Sequence, residues 1–278
     1  MKNLFDRVSA QTSKHTTKTY STSFSLGIYC LNKKLHRAIY NIYGFVRFAD
    51  EIVDTFHDYD KETLLKEFRE DTYKAIDRKI SLNPILNSFQ EVVNKYKIDV
   101  ELIDCFLNSM EMDLKQNSHS DESYEQYILG SAEVVGLMCL RVFTNGNEEH
   151  YQNLKPSAMK LGAAFQKVNF LRDIKNDMDY LGRIYFPKVN LKCLTEVEKR
   201  EIELEIEKDF NGALIGINQL PSSSKYGVYV AYVYYKSLFN KIKSTPSNKI
   251  MVERIRVPNY KKISLLFSSY FRLSFNCL

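Results

Sequence analysis

Two segments of the sequence carry pairs of aspartates spaced four residues apart. Asp50 and Asp54 form the first pair, and Asp173 and Asp177 form the second. On a helix, residues four apart lie one turn apart on the same face, so each pair presents two carboxylates together. Mg²⁺ prefers such oxygen ligands and completes its coordination with waters and substrate phosphates. One pair alone is usually a solvated acidic face, whereas two pairs in one chain predict a multi-Mg²⁺ site for a diphosphate.

Polar residues precede both pairs at helical spacing and complete two polar stripes: Tyr43 and Arg47 before the first pair, and Gln166 and Asn169 before the second. Apolar residues flank each stripe, so its ionised groups lie next to the predicted core, where they are costly unless paired or metal-bound. Arg47 and Arg172 can donate bidentate hydrogen bonds to a phosphate. Glu51 lies inside the first motif but points about 100° away from the stripe, and we expect a lesser role for it.

Hydroxyl side chains are concentrated in one short segment near the N-terminus, Ser21–Ser25. Hydroxyls that precede an apolar run are most often helix N-caps. A helix N-terminus also binds anions, because its first backbone N–H groups have no partners within the helix. The segment therefore predicts a helix start, with an anion site as the alternative interpretation.

Small residues lie along an apolar run that is predicted to be helical, Tyr124–Phe143. Gly130, Ala132 and Gly136 would let helix backbones approach closely, so tight helix packing is the favoured interpretation. The alternative is that these residues line a channel that admits a long chain. Gly162, on the second aspartate helix, would likewise let another helix or a ligand approach.

The elements that must position these residues are predicted to be long helices. The 10 Gly and 6 Pro are few for 278 residues, and apolar residues recur at helical spacing through most of the chain. Predicted breaks are a helix start at Pro84, a turn over 144–147, a helix start at Pro156 and a helix stop at Gly182. The sequence predicts an all-α fold of roughly ten helices, organised as a single domain over residues 1–278.

Composition and charge exclude several other classes of protein. The net charge is +5 and no dense run of Lys and Arg occurs, so nucleic acid is not an expected partner. The five cysteines are scattered and show no CxxC spacing, which argues against a zinc site or a disulfide framework. P-loop and GxGxxG motifs are absent from the sequence. Because neither a signal peptide nor an apolar run of ~20 residues is present, we expect a cytoplasmic protein, soluble or peripheral to a membrane.

Taken together, these motifs resemble the squalene/phytoene synthase family of head-to-head prenyltransferases. The resemblance spans nearly the whole chain and rests on the two aspartate motifs, the hydroxyl segment and Gly182-Arg-Ile-Tyr-Phe-Pro187. It implies an all-α isoprenoid-synthase bundle around a central cavity. It also implies that the two aspartate pairs face each other across this cavity and hold Mg²⁺, with Mn²⁺ as an alternative.

The resemblance further implies roles for individual side chains. Tyr43, Arg47 and the four aspartates match catalytic positions of the family. The positions that match its diphosphate-binding residues are Ser21, Ser23, Arg47, Tyr127, Gln166, Asn169 and Arg172. This chain departs from the family pattern at Tyr20, where some members have histidine, and the departure concerns the details of the diphosphate site.

The implied reaction is the condensation of two prenyl diphosphates through a cyclopropyl diphosphate. Leu171-Arg-Asp-Ile-Lys175 and the Gly182–Pro187 segment are most like bacterial phytoene synthases. Those enzymes convert two geranylgeranyl diphosphates to 15-cis-phytoene, the first step of carotenoid biosynthesis, and do so without NADPH. Squalene, dehydrosqualene and presqualene diphosphate synthases, which use farnesyl diphosphate, share the motifs and stay as alternatives. A non-catalytic assembly factor of the same fold is a remote alternative, because such a protein should have lost its aspartates.

A C40 hydrocarbon product would be insoluble in water. The net positive charge and the apolar stretch Ile263–Phe275 therefore lead us to expect transient peripheral contact with the inner membrane, and downstream carotenoid enzymes as candidate partners. The alternative interpretation of the apolar stretch is a final core helix.

Overall fold

The computed structural model describes residues 1–115, 118–187, 194–258, 264–266 and 268–269. Twelve helices have both ends within these ranges, and no named β-strand occurs there. The helices are α1 (Lys2–Tyr20), α2 (Thr22–Tyr29), α3 (Lys33–Thr55), α4 (Lys61–Arg78), α5 (Pro84–Tyr96), α6 (Val100–Lys115), α7 (Asp121–Ile128), α8 (Val134–Phe143), α9 (Glu148–Asn176), α10 (Glu196–Gln219), α11 (Ser222–Lys243) and α12 (Ser247–Ile250). The predicted all-α fold is confirmed.

Two apolar clusters form the core, one on each side of a central cavity. The first is built largely from α3–α6, where the rings of Phe45 and Phe89 stack with their centroids 3.9 Å apart. The second is built largely from α7 and α9–α11. Helix α8 lies between the clusters, with Met138 in the first and Leu137 in the second. This arrangement places α3 and α9, the two aspartate helices, in opposite walls of the cavity.

Most predicted helix boundaries are confirmed, and each has a local cause. Asn83 caps α5 by accepting from the backbone N–H groups of Ile85 and Leu86, and Pro84 takes the first helical position, where no N–H is needed. The predicted turn over 144–147 separates α8 from α9. Gly182 ends the second aspartate segment with φ 65°, in the left-handed region that favours glycine.

The prediction that a helix starts at Pro156 is wrong. Helix α9 starts two turns earlier, at Glu148, and Pro156 lies inside it. Asn147 caps this start by accepting from the backbone N–H of His150 (2.9 Å), and Glu148 and Glu149 occupy the first turn. Acidic residues are favoured at that end of a helix. These local interactions compensate for the one backbone hydrogen bond that a proline removes.

The predicted helix over Tyr124–Phe143 is confirmed, with one irregularity. A π-helical turn, Leu129–Glu133, joins α7 to α8. The combined stretch Asp121–Phe143 is long and apolar enough to cross a membrane by length and composition alone, although half of its most apolar window is buried. A core helix meets the same criterion, and the contacts of α8 with both apolar clusters identify this stretch as a core element.

The small residues of this stretch bear on both of the interpretations considered for them. A methyl group added at Gly162 would lie 2.7 Å from the carbonyl oxygen of Ala132, and one added at Gly130 would lie 2.6 Å from that of Cys105. Tight helix packing is therefore confirmed. Ala132 and Gly136 also line the central cavity, as the channel interpretation expects; that a long chain enters there stays a prediction.

Several sequence features lie partly or wholly outside the described residues. Three of the five cysteines, Cys30, Cys105 and Cys139, lie within the described residues and are free. Cys193 and Cys277 lie outside the described residues, as does most of the apolar stretch Ile263–Phe275. The proposed role of that stretch stays a prediction.

Candidate active site

A cavity of about 330 Å³ runs between the two apolar clusters. Most of its lining is apolar, and its polar residues are concentrated where α3 and α9 approach their C-terminal ends. Along α9 the lining extends from Leu154 to Asn169, roughly 22 Å of helix at 1.5 Å per residue. Six of the predicted site residues line the cavity: Tyr43, Arg47, Asp50, Tyr127, Gln166 and Asn169. The cavity therefore combines a long apolar space with one charged end.

The polar stripe on α3 is organised by Arg47. Its guanidinium pairs with Asp50 at 2.6 Å and also with Glu51, and it lies over the ring of Tyr20, 4.3 Å from the centroid. Burial, followed by the charge of Asp54, raises the pKa of Asp50 to about 7, although Arg47 opposes the shift. Glu51, for which a lesser role is expected, shares Arg47 with Asp50.

Tyr43 links this stripe to the hydroxyl segment. Ser21 caps α2 by accepting from the backbone N–H of Phe24 at 3.2 Å, which confirms the predicted helix start. A hydrogen bond with Ser21 also acts on the hydroxyl of Tyr43, but burial is the larger effect and raises the pKa of Tyr43 to about 12. Ser21 and Ser23 are half-buried and do not line the cavity themselves.

The polar stripe on α9 lies in the opposite wall. Asn169 accepts a hydrogen bond from the hydroxyl of Tyr235 at 3.3 Å. One turn further on, Asp173 pairs with Arg172, whose Nε lies 3.1 Å from Oδ1, and with Arg254, whose Nε lies 2.6 Å away. Arg172 is thus held by a carboxylate, and it lies beyond the cavity lining. Arg254, in the segment that follows α12, was not predicted to contribute to this site.

The second aspartate of this stripe lies outside regular α-helix. Helix α9 ends at Asn176, and a π-helical turn begins with Asp177. Burial, followed by the charges of Asp173 and Asp54, raises the pKa of Asp177 to about 8. Because Asp54 belongs to α3, its effect on Asp177 means that the two aspartate pairs interact electrostatically. Of the four aspartates, only Asp50 is part of the cavity lining itself.

A buried polar cluster beside Asp54 contains one predicted site residue, Tyr127, together with Asp113, Tyr185 and Arg183, which were not predicted as site residues. Asp113 on α6 accepts hydrogen bonds from the hydroxyls of Tyr127 (2.7 Å) and Tyr185 (3.3 Å). Arg183 pairs with Asp54 at 2.7 Å and lies 3.6 Å from Asp113. Burial raises the pKa of Asp113 to about 7, against the effects of Arg183 and Tyr127. The sequence contained one indication that Asp113 is buried, because Asp113 shares a helical face with apolar core residues.

The donor atoms at the charged end suit a divalent cation. Asp50 and Asp177 have raised pKa values because burial and like charges disfavour their ionised forms, and a bound cation would remove that penalty. Within the described parts of the chain, no three His, Cys, Asp or Glu side chains are close enough to hold a metal ion by themselves. A cation held here would therefore take further oxygen ligands from water or from a diphosphate.

Comparison with known proteins gives a consistent result. The chain matches the squalene/phytoene synthase family over residues 17–261. It is 27% identical to the chloroplastic phytoene synthase of Daucus carota, covering 92% of this chain and 68% of that protein. It is 25% identical to a phytoene synthase of Arthrospira platensis, covering 91% and 89%. The crystal structure of a dehydrosqualene synthase in complex with ligand superposes with a TM-score of 0.83 and 19% identity, covering 97% and 98% of the two chains.

These matches differ in what they establish. The chain spans about two thirds of the length of the chloroplastic phytoene synthase of Daucus carota and of phytoene synthase 1 of Solanum lycopersicum. The structural similarity confirms the isoprenoid-synthase fold. The sequence match covers most of the chain and confirms the predicted enzyme class, since members of the matching family are prenyltransferases. On this evidence the chain belongs to the squalene/phytoene synthase family.

Proposed function

We propose that this chain condenses two prenyl diphosphates head to head. The observation that carries the proposal is a long apolar cavity with Arg47 and Asp50 in the lining of one end. The other three aspartates, Asp54, Asp173 and Asp177, interact electrostatically with Asp50 or with one another. The apolar part suits a prenyl chain and the charged end suits its diphosphate. A site for a small polar substrate would not need the apolar length along α9.

The charged end of the cavity would hold the diphosphates. Asp50, Asp54, Asp173 and Asp177 would hold Mg²⁺ or Mn²⁺, which when bound would stabilise the negative charge on the departing diphosphate. Arg47 and Arg172 add hydrogen-bond donors that can bind phosphate oxygens in a bidentate way. The polar groups that line this end and can orient the substrates are Tyr43, Tyr127, Gln166 and Asn169. Ser21 forms a hydrogen bond with Tyr43 and would support the same end, and the family resemblance assigns Ser23 to it as well.

The rest of the cavity would protect a reactive cation from water. Phe165 and Tyr235 both line it, and their rings stack with centroids 3.9 Å apart. Aromatic faces attract a positive charge, and apolar walls exclude the water that would quench it. These residues therefore suit an allylic or cyclopropylcarbinyl cation formed when the diphosphate leaves.

Geranylgeranyl diphosphate is the substrate that we propose, with 15-cis-phytoene as the product of the reaction. The support is the similarity to proteins named phytoene synthase from a plant and from Arthrospira platensis. The reaction would pass through a cyclopropyl diphosphate and would need no NADPH. The similarity in fold to a dehydrosqualene synthase favours a second candidate, the condensation of farnesyl diphosphate to a C30 product. All four aspartates are present, which argues against a non-catalytic assembly factor.

A product assay tests these candidates. Purified protein would be incubated with Mg²⁺ and either geranylgeranyl or farnesyl diphosphate, with and without NADPH, and the hydrocarbon would be identified by mass. We expect phytoene from geranylgeranyl diphosphate without NADPH. A C30 product would replace the phytoene assignment by squalene or dehydrosqualene synthesis. The dependence of product formation on NADPH would then distinguish these two activities. No product from either substrate, with the protein folded, would contradict the proposed condensation.

We further propose a cytoplasmic location with transient contact at the inner membrane, where an insoluble product could be released to later carotenoid enzymes. The net charge of +5 supports attraction to anionic lipids. Co-sedimentation with anionic and neutral vesicles at low salt tests this contact. We expect binding to the anionic vesicles alone, and equal recovery in the supernatant with both would contradict it.

A further inference from the structure

Arg183 lies between two carboxylates that differ in accessibility. Its Nη1 is 2.7 Å from Asp54, whose side chain is 28% exposed, and 3.6 Å from Asp113, whose side chain is 2% exposed. The Arg183 side chain itself is only 7% exposed. A cation from solution can therefore reach Asp54 but cannot reach Asp113, and Arg183 contacts both.

The chain around Arg183 fixes this position. The left-handed Gly182 ends the π-helical turn, and Ile184 forms an isolated β-bridge with Ser118. The guanidinium also donates to the backbone carbonyl of Val53 at 3.3 Å. Since Val53 and Asp54 are neighbours at the end of α3, Arg183 is anchored to the end of that helix rather than to one side chain alone.

We propose that Arg183 is an internal counter-ion of Asp54, a positioning residue that a divalent cation must displace. The inference rests on the proposed function, in which Asp54 is a cation ligand. A guanidinium has five N–H donors in a fixed fork, so Arg183 can lose Asp54 while it keeps Val53 and Asp113. Before substrate arrives, the arginine neutralises Asp54 and weakens cation binding there. The cation and diphosphate together then supply enough attraction to replace it.

Mn²⁺ binding in the absence of substrate tests this inference directly. Free Mn²⁺ would be measured by electron paramagnetic resonance during titration of the wild type and of Arg183→Gln. We expect Arg183→Gln to bind Mn²⁺ roughly tenfold more tightly, because a competing positive charge beside a ligand is removed. A purely structural arginine predicts the opposite, since its loss would disorder the site. Unchanged or weaker binding would overturn the proposal.

Arg141→Gln is the matched control. Arg141 is similarly buried, with 8% of its side chain exposed, and it pairs with Asp99 at 2.7 Å. Neither residue belongs to the two aspartate motifs. Its replacement should lower stability without changing Mn²⁺ affinity. A gain in affinity equal to that of Arg183→Gln would mean that the effect is general and would overturn the proposal.

Two further variants make the test independent of folding and of the enzymatic reaction. Arg183→Lys keeps a positive charge but lacks the forked guanidinium that spans Asp54 and Asp113. We therefore expect its gain in Mn²⁺ affinity to be smaller than that of Arg183→Gln. If Arg183→Gln does not fold, the absence of any gain in Arg183→Lys would overturn the proposal. In an Asp54→Asn background the gain should disappear, and its persistence would contradict the pairing. Because Mn²⁺ binding needs no turnover, these outcomes stand whether or not the product assay succeeds.

Discussion

Asp54, near the end of α3, and Asp177, just beyond the end of α9, lie within electrostatic reach of each other. Burial and the neighbouring Asp173 raise the pKa of Asp177, and the charge of Asp54 raises it further, to about 8. Carboxylates from two helices that are distant in sequence thus form one negatively charged region.

Replacement of Asp50 by Asn should abolish most product formation without unfolding the protein. Asp50 lies on the cavity lining and is a proposed ligand of the cation. Loss of electrostatic stabilisation of a developing charge typically costs about 10²–10³ in rate. The free energy of unfolding without Mg²⁺ should stay equal or rise, because the replacement removes a carboxylate whose ionised form is disfavoured by desolvation and by Asp54. The product assay and thermal denaturation measure the two effects. Asp71→Asn, an exposed change on α4, should keep full activity, and an active Asp50→Asn would contradict the assigned role.

The stability of the cation-free protein should fall as the pH rises from about 4 to about 8. The pKa values of Asp50 and Asp177 are about 7 and about 8 in the folded chain, compared with about 3.9 for an unperturbed Asp. In this range the folded state binds more protons than the unfolded state, so raising the pH favours unfolding. Above about pH 8 both carboxyls are ionised in the folded chain, and this loss of stability is complete.

Thermal melts at pH 5.5 and 8.5, with and without Mg²⁺, measure this dependence. Mg²⁺ should raise the Tm mainly at pH 8.5, where the carboxylates are ionised. Asp177→Asn should be more stable than the wild type at pH 8.5 without Mg²⁺ and should show a weaker pH dependence. A wild-type Tm that rises between pH 5.5 and 8.5 without Mg²⁺ would be inconsistent with this charge arrangement.

Replacement of Gly162 by Ala should destabilise the fold. The added methyl group would lie 2.7 Å from the carbonyl oxygen of Ala132, and such overpacking costs about 1–3 kcal/mol. Gly212→Ala, where the methyl group would meet only the flexible side chain of Lys160 at 3.4 Å, should be neutral or stabilising by up to about 1 kcal/mol. Chemical denaturation compares the two variants, and equal stabilities would refute the close packing of α9 on the π-helical turn.

Replacement of Ala158 by Phe should shorten the space available to a prenyl chain. Ala158 lines the cavity on α9, away from the aspartates, and size discrimination in apolar pockets changes rates by about tenfold or more. Product formation from geranylgeranyl diphosphate should therefore fall more than that from farnesyl diphosphate. Asn153→Phe, an exposed change on the same helix, serves as the control. Equal losses with both substrates would show that this position does not limit chain length.

Local patterns in the sequence were sufficient to predict much of the fold and one side of the site. The aspartate spacing predicted the two polar stripes, because a helix converts spacing into a face. Gly182 and Pro84 marked true helix ends, because their backbone requirements act locally. Pro156 misled the prediction, since the cap at Asn147 and the acidic first turn outweigh one lost hydrogen bond.

The rest of the site depends on contacts that no local pattern encodes. Arg183 pairs with Asp54 across 129 positions of sequence, and Arg254 reaches Asp173 from the far end of the described chain. The π-helical turn at Asp177 also went unpredicted, because a one-residue change of helical register leaves the apolar pattern nearly intact. Arg183 stood within a recognised motif, but only the fold shows what it touches.

The direction of the two aspartate helices has a consequence for how substrate enters. Both α3 and α9 end at the charged end of the cavity, so the negative ends of two helix dipoles point toward it. An acidic side chain at such an end loses about 0.3–1 kcal/mol rather than gaining it. A bare diphosphate would therefore meet repulsion from the backbone as well as from the carboxylates. We expect the polarity of the two helices to favour an anion that arrives together with its cations.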